Sequence, residues 1–375
     1  MRTVKAAAAA VTAALAAGAA SVAAGRFASD AALKAPSGGR PPTEPRLTVH
    51  AVGDDWIALT RALASLRPGT YGLADDDSHA VVGPVIDAAA HSADTVVRRL
   101  ERVTRGAPAT GDRMWLVPDL RTGDPTTALG LPHTSVAVPG ELGPLPAWSV
   151  PAARDTWVIA VHGLAAGREH TLNLMEFLHG LRFPVLVPAY RGDPGAPRSP
   201  DGLHHLGETE WHDLDAAIRH AVQHGARRVI LYGWSTGATM ALLAVTHSAL
   251  GERISGLVLD SPVLDWTATL RALATARHTP GALLPLAVRA AQGRTGIRGD
   301  ATAQAAEPGG LAVPTLIVHG PDDTLAPWAP SRRLAADRPD LVTLHPVPGA
   351  PHAAMWNVDP DGYEEVLRRF LTPLM

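Results

Sequence analysis

A doubly wound, mostly parallel α/β sheet is predicted for the C-terminal two thirds of this 375-residue chain, with a small β-containing region before it and a helical lid within it. Three observations predict it. From about residue 132 short apolar runs alternate with helix-patterned stretches, as in a parallel sheet with crossover helices. Polar residues with chemical potential follow the carboxyl ends of those runs, where sites lie in such sheets. One run ends in Gly233-Trp234-Ser235-Thr236-Gly237, a G-x-S-x-G pentapeptide at a strand-to-helix turn.

The elements can be justified in order. Ala6 to Ala24 is alanine, valine and leucine interrupted only by Thr12, Gly18 and Ser21, after Arg2 and Lys5. Residues 1–25 therefore read as a signal peptide or signal anchor. Ser21-Val22-Ala23 offers a small-x-Ala processing site, whereas the length of the stretch favours an anchor, and Arg26, Lys34 and Arg40 leave the orientation open. The expected location is the cell membrane, with the catalytic domain outside the cytoplasm, or the exterior after cleavage. Residues 26–46, ending in "APSGGRPPTEPR", read as a Pro/Gly-rich linker. Residues 47–130 mix β-like runs such as "LTVHAV" and "HAVVGPVIDA" with "TVVRRLERV" and contain no catalytic pattern.

The catalytic domain is expected over 131–375. "HTSVAVPGELGPLPAWSV" reads as two strands around a glycine turn. "TWVIAV" (156–161), "PVLVPA" (184–189), "VILY" (229–232), "GLVL" (256–259) and "TLIVH" (315–319) are short apolar strands. Between them Leu214, Ala217, Ile218, Ala221 and Val222 have helical spacing that stops at Gly225, and Ala238 to Ala244 form a second helix after the pentapeptide. Residues 263–310 hold the apolar helical stretches "WTATLRALATA" and "GALLPLAVRAAQ"; they are expected to roof the site as a lid, or else to pack on the core.

Composition narrows the function. A net charge of −3 gives no support for nucleic-acid binding. The only lysines, Lys5 and Lys34, lie near the N-terminus, which excludes a Walker-type phosphate loop. Absence of cysteine excludes disulfides, thiolate metal sites and a cysteine nucleophile. The mixed cluster His204, His205, Glu208, Glu210 and His212 matches no common zinc spacing, and it immediately precedes a helix whose N-terminus favours acidic residues. No metal and no cofactor are expected.

Five strand ends present candidate residues: His162-Gly163-Leu164, Ser235, Asp260, Pro321-Asp322-Asp323 and the loop "PGAPHAAMW" with His352. Through "VIAVHGL", "GWSTG", "LVLDSP", "IVHGPDDTLAP" and "GAPHAAMWNVDP", residues 132 to 375 resemble the α/β-hydrolase superfamily. "AYRGDPGAP" and "LYGWSTGATMALL" are most similar to bacterial serine hydrolases of the prolyl-oligopeptidase-like and Bem46-like branches. The resemblance implies a nucleophile, acid, histidine order met by Ser235, Asp323 and His352, and oxyanion donors at the backbone of Leu164 and Thr236. Its H-G-x-x-D pattern, matched by His319, Gly320 and Asp323, places the acid at Asp323, with Asp322 as a turn residue and Asp260 as the rival acid. A serine hydroxyl needs such a base to attack at neutral pH, and an imidazole supplies one.

The expected activity is a serine hydrolase working through an acyl-enzyme on a small ester or acyl substrate, most simply a carboxylic ester hydrolase. A peptidase, an amidase or an acyltransferase would use the same residues. A non-catalytic extracytoplasmic binding module that kept the fold is the alternative of another class.

Overall fold

The computed structural model describes residues 45–87, 92–307 and 309–375, together with positions 23, 25–27, 29, 30 and 32–34. Residues 47–117 form six strands: β1 (Leu47–Val52), β2 (Trp56–Thr60), β3 (Tyr71–Ala74), β4 (His79–Val85), β5 (Thr95–Arg105) and β6 (Arg113–Val117). They close into a barrel in the order β1-β2-β5-β4-β3-β6, antiparallel at every seam. Closure leaves no strand edge unpaired, and Val49, Ile57, Leu59, Leu73, Val82 and Leu116 fill the interior. "TVVRRLERV" belongs to the long strand β5, despite its charge. Its Arg98 is fully buried and donates to the carbonyls of Gly83, Ser65, Arg67 and Gly69 at 2.6–3.1 Å. Burial lowers its pKa to about 10.

The second sheet holds β7 (Thr134–Gly140), β8 (Gly143–Val150), β9 (Thr156–Val161), β10 (Val185–Pro188), β11 (Arg228–Trp234), β12 (Ile254–Asp260), β13 (Thr315–His319) and β14 (Val342–Pro346). Its order is β7-β8-β10-β9-β11-β12-β13-β14. The β7–β8 hairpin and the β8–β10 seam are antiparallel, and the rest are parallel. The helices are α1 (Pro125–Leu129), α2 (Leu172–Gly180), α3 (Trp211–Gln223), α4 (Thr236–His247), α5 (Trp266–Ala276), α6 (Leu284–Thr295), α7 (Asp300–Ala305), α8 (Trp328–Asp337), α9 (Met355–Val358) and α10 (Pro360–Leu371).

The continuous apolar run in β11 has a simple cause. Val229 and Leu231 pack with α3 and α4 on one face, while Ile230 and Tyr232 pack with α2 and α10 on the other, so neither side of the strand meets water. Strand order reverses about β9, because β10 lies to one side of it and β11 to the other. That reversal opens a crevice beyond the ends of β9 and β11.

Of the two arrangements expected for 263–310, the helices show the packing one, and part of 26–46 is helical. Helices α5 and α6, in the stretch expected as a lid, bury Leu270, Leu273 and Val288 against Leu203, Leu206 and Leu325. Within the stretch expected as a linker, the described residues at 26–27, 29–30 and 32–33 are helical, and Leu33 is buried in that same cluster. Its carbonyl accepts the His204 N–H at 2.8 Å, and Arg294 donates to Ser29 Oγ at 2.8 Å. Among the described residues no helix is long and apolar enough to cross a membrane; of the stretch 6–24, only Ala23 is described.

Candidate active site

Ser235 is the residue between β11 and α4, and its backbone is left-handed, with φ 54° and ψ −116°. Few non-glycine residues adopt this, and it lifts the side chain out of the turn. The glycines around it are required by close approach. A Cβ on Gly233 would lie 2.3 Å from Gly237, one on Gly237 would lie 2.3 Å from the Val161 carbonyl, and one on Gly163 would lie 2.6 Å from Ser235 Cβ.

His352, in the loop after β14, places Nε2 2.7 Å from Ser235 Oγ and Nδ1 2.7 Å from Asp323 Oδ2. Asp323 follows β13, and its side chain is completely buried. Its Oδ1 accepts the N–H groups of Leu325 (2.8 Å) and Ala326 (2.9 Å), and its Oδ2 also lies 3.2 Å from His319 Nε2. Burial alone would raise its pKa; the His352 charge and the hydrogen bonds from His319 and His352 outweigh this and hold it well below the usual carboxylate range. Asp322 does more than shape a turn, because its Oδ2 accepts the Gly349 N–H at 3.0 Å and ties down the start of the His352 loop.

Leu164 follows the end of β9, and Thr236 opens α4 directly after Ser235. Thr236 opens its helix, so its N–H has no intrahelical carbonyl to meet. The peptide before Leu164 is held from behind: the Gly163 carbonyl accepts Tyr190 Oη–H at 3.0 Å and lies 3.0 Å from His162 Nδ1. A trans peptide points its N–H opposite to its carbonyl, so these bonds aim the Leu164 N–H. His162 in turn reaches Asp193 Oδ2 at 2.9 Å. Burial opposes a charge on His162, but the Asp193 carboxylate prevails and raises its pKa. Tyr190 was missed in the sequence; its position after β10, in the quoted "AYRGD", is the signal that could have found it.

The rival acid Asp260 does not reach His352 Nδ1. Its Oδ1 accepts from Ser261 Oγ at 2.8 Å and its Oδ2 from Tyr363 Oη at 2.9 Å, in a fully buried setting that pushes its pKa up to about 7. Ser261 Oγ also accepts the N–H of Ala353, next to His352, at 3.0 Å. In the His/Glu cluster, Glu210 accepts the N–H groups of His205 (2.8 Å) and Gly207 (2.9 Å), His205 reaches Asp201 at 2.8 Å, and Glu208 accepts the Thr302 N–H at 2.9 Å. These side chains hold loops to one another. The acid of the first turn of α3 is Asp213, which receives a bidentate Arg191 at 2.8 Å on both oxygens.

Ser235 and His352 open into a cleft of about 1140 Å³. The catalytic domain lines it with Leu164, Glu169, Tyr190 and Arg198, and the barrel with His79 and Arg105. Among the described residues none between 263 and 310 lines it. The apolar faces of that stretch pack on Leu33, Leu206 and Leu325 and on Leu203, which does line the cleft.

The sheet order, the left-handed serine and the Ser-His-Asp relay define a serine hydrolase of the α/β-hydrolase fold. The prolyl oligopeptidase family model matches residues 173–367, more than half of the chain, and the chain belongs to that family. A model described as a domain of unknown function (DUF8805) matches residues 48–117, the barrel. No curated protein matches. Among solved structures, the esterase Pf2001 of Pyrococcus furiosus superposes with a TM-score of 0.55 at 21% identity, over 67% of this chain and 94% of its own. A second crystal form of it gives 0.54 at 20%, over 67% and 96%. DcsB in complex with a substrate analogue gives 0.50 at 14%, over 65% and 100%. What these structures share with the chain is the fold.

Proposed function

We propose that this chain hydrolyses a small carboxylic ester through an acyl-Ser235 intermediate. The observation that carries the proposal is the continuous relay from Ser235 Oγ through His352 to Asp323, 2.7 Å at each step. As Ser235 Oγ attacks the acyl carbon, His352 Nε2 takes its proton, and Asp323 holds the imidazole in the Nδ1–H tautomer. The carbonyl oxygen becomes an oxyanion between the N–H groups of Leu164 and Thr236, each donor of this kind being worth about 3 kcal/mol in the transition state. Collapse expels the alcohol, which takes the proton from His352. Water, activated by the same histidine, then releases the acid and frees Ser235. No metal or cofactor is called for. Helices α5 and α6 act from the side in this proposal: their cluster includes half-buried Leu164, so they steady the oxyanion loop.

The solved esterase of the same fold favours an ester, and membership of the prolyl oligopeptidase family favours a peptide as the second reading. A panel of p-nitrophenyl esters set against peptide p-nitroanilides separates them. Fluorophosphonate labelling of the wild type, lost in Ser235→Ala with the fold retained, is the expected result. A wild type that does not label is a binding module, and hydrolysis retained by purified Ser235→Ala refutes the nucleophile. We further propose, from the apolar stretch at 6–24 and its basic start, that the catalytic domain works outside the cytoplasm, anchored or released.

A further inference from the structure

The barrel contains no catalytic motif, yet it is built onto the loop that holds His352. Ala354, two residues after His352 and 2% exposed, packs into the barrel's own apolar cluster, all of whose other members lie between Leu47 and Leu116. Asn357, equally buried, donates through Nδ2 to the carbonyls of Thr70 (2.9 Å) and Pro118 (2.8 Å). Its own carbonyl accepts the Thr70 N–H at 2.9 Å. The approach is so close that a Cβ on Gly69, whose φ is +92°, would sit 2.1 Å from that carbonyl. Before the histidine, a Cβ on Gly349 would come within 3.4 Å of Pro68.

The barrel turn is itself held rigidly. The guanidinium of Arg98 donates from inside the barrel to the carbonyls of Ser65 (3.1 Å), Arg67 (2.8 Å) and Gly69 (2.6 Å). On its other side the His352 loop is fixed by Ser261 Oγ at Ala353 and by Asp322 at Gly349. Between these supports Ala353 keeps a left-handed φ of 55°.

We infer that the barrel is a working part of the catalytic apparatus: its Pro68-Gly69-Thr70 turn, pinned by Arg98, sets the position of His352 through the main chain of the 349–357 loop. Gly69 and Asn357 are positioning residues, acting on Ser235 only through His352. The inference rests on His352 being the base of the proposed hydrolase. It gives residues 48–117 a role in the reaction, since a misplacement of about 1 Å in a reacting group costs about 100-fold in rate.

The test uses the full chain with Asn357→Ala and Gly69→Ala, against Asn173→Ala as control. Asn173 bridges the same interface from α2, donating to the Pro118 carbonyl (2.8 Å), which Asn357 also reaches, and accepting the Leu120 N–H (3.1 Å), but it makes no hydrogen bond of its own to the 349–357 loop. Measured are kcat and KM for a p-nitrophenyl ester, the rate of fluorophosphonate labelling and the melting temperature. Asn357→Ala and Gly69→Ala are expected to lower kcat and labelling at least about tenfold with KM within about twofold. Asn173→Ala should lower the melting temperature comparably while kcat stays within about twofold. If Asn357→Ala does not fold, Asn357→Asp, which keeps the shape and removes the donor amide, takes its place. An active wild type beside a fully active position-357 variant overturns the inference, as does a loss of kcat in all three variants that simply tracks melting temperature. A wild type that neither labels nor turns over overturns the hydrolase reading instead.

Discussion

Replacing Asp323 by asparagine changes one atom, and the structure dictates which way that atom must face. Oδ1 accepts two backbone N–H groups, from Leu325 and Ala326, while Oδ2 faces the nitrogens of His352 and His319. An asparagine that keeps its carbonyl oxygen at the backbone site retains both of those bonds, worth about 1 kcal/mol each. Its NH2 group then points at His352 Nδ1 and can only donate there. The imidazole must accept at Nδ1 and place its proton on Nε2, where it can no longer take the proton of Ser235. Rotating the amide forfeits both backbone bonds and sets two donors against two donors, so the wrong tautomer prevails.

Loss of the correct tautomer and of imidazolium stabilisation costs kcat about ten thousand-fold in the Ser-His-Asp template. That corresponds to about 5 kcal/mol at about 1.36 kcal/mol per tenfold. KM should move less than about twofold, because the Asp323 side chain is completely buried and does not line the cleft. Steady-state hydrolysis of a p-nitrophenyl ester, with active sites counted by fluorophosphonate labelling, measures both. Asp322→Asn is the internal control, since an asparagine carbonyl can still accept the Gly349 N–H, and it should be mild. An Asp323→Asn enzyme within about tenfold of wild type, or one more active than Asp260→Asn, would refute the assignment of the acid.

Three further predictions concern Asp260 and the N-terminal segment. Burial pushes Asp260 up to about 7 from its ordinary 3.8, so between these values the folded chain holds a proton that the unfolded chain has released. The Asp260 contribution to stability is therefore lost as pH rises from about 4 to about 7 and is level above, against the opposite trend of buried His170, whose pKa burial lowers to about 3. Asp260→Asn, whose amide can satisfy both hydroxyls, should remove that contribution, so its melting temperature relative to wild type should rise across this range, and a constant difference would count against it. In a bacterial host the full chain should partition to the membrane or beyond the cytoplasm, whereas a chain starting at Gly25 should be soluble and active; equal cytosolic recovery of the two would overturn the export proposal. A start near Pro42 should also be active but melt lower, because it removes Leu33 and the Ser29–Arg294 bond.

The sheet was legible where burial is symmetrical. Val229 to Tyr232 had to be apolar at every position because helices cover both faces, and a continuous run is what such a strand must show. The barrel was less so: β5 reads as mixed because Arg98 is satisfied by four carbonyls from other segments, and the β1–β6 seam joins Leu47 to Met114 with no local signature. Ser235, Asp323 and His352 were legible because each follows the end of a parallel strand. Asn357 and Ser261 were not, since what they contribute is a bond to the main chain of a distant loop, and no residue spacing records it. The helices of 263–310 show the same limit. Their apolar faces were plain in the sequence, but apolarity does not say which surface receives them, and they pack on Leu206 and on Leu203, a wall residue of the cleft, without lining the cleft themselves.

Strain ties these unrecorded contacts together. Seven non-glycine residues among those described have positive φ, and four of them are Ala165, Ser235, Ser261 and Ala353. Each is, or directly follows, a residue at the site: Leu164, Ser235, Asp260 or His352. A left-handed backbone costs an ordinary residue about 1 kcal/mol or more, so such a cluster persists only where neighbours over-determine it. Here they do so by holding one another. The Ser235 N–H donates to the Asp260 carbonyl at 2.8 Å, the Ser261 N–H to the Val318 carbonyl at 2.9 Å, and the Ala353 N–H to Ser261 Oγ at 3.0 Å. The serine elbow, the end of β12 and the histidine loop are thus one braced unit, closed on its outer side by the barrel through Ala354 and Asn357. On the proposed roles, a site braced in this way has its base and its oxyanion donors in place before a substrate arrives. Binding energy is then free to act on the transition state, not on assembling the catalyst.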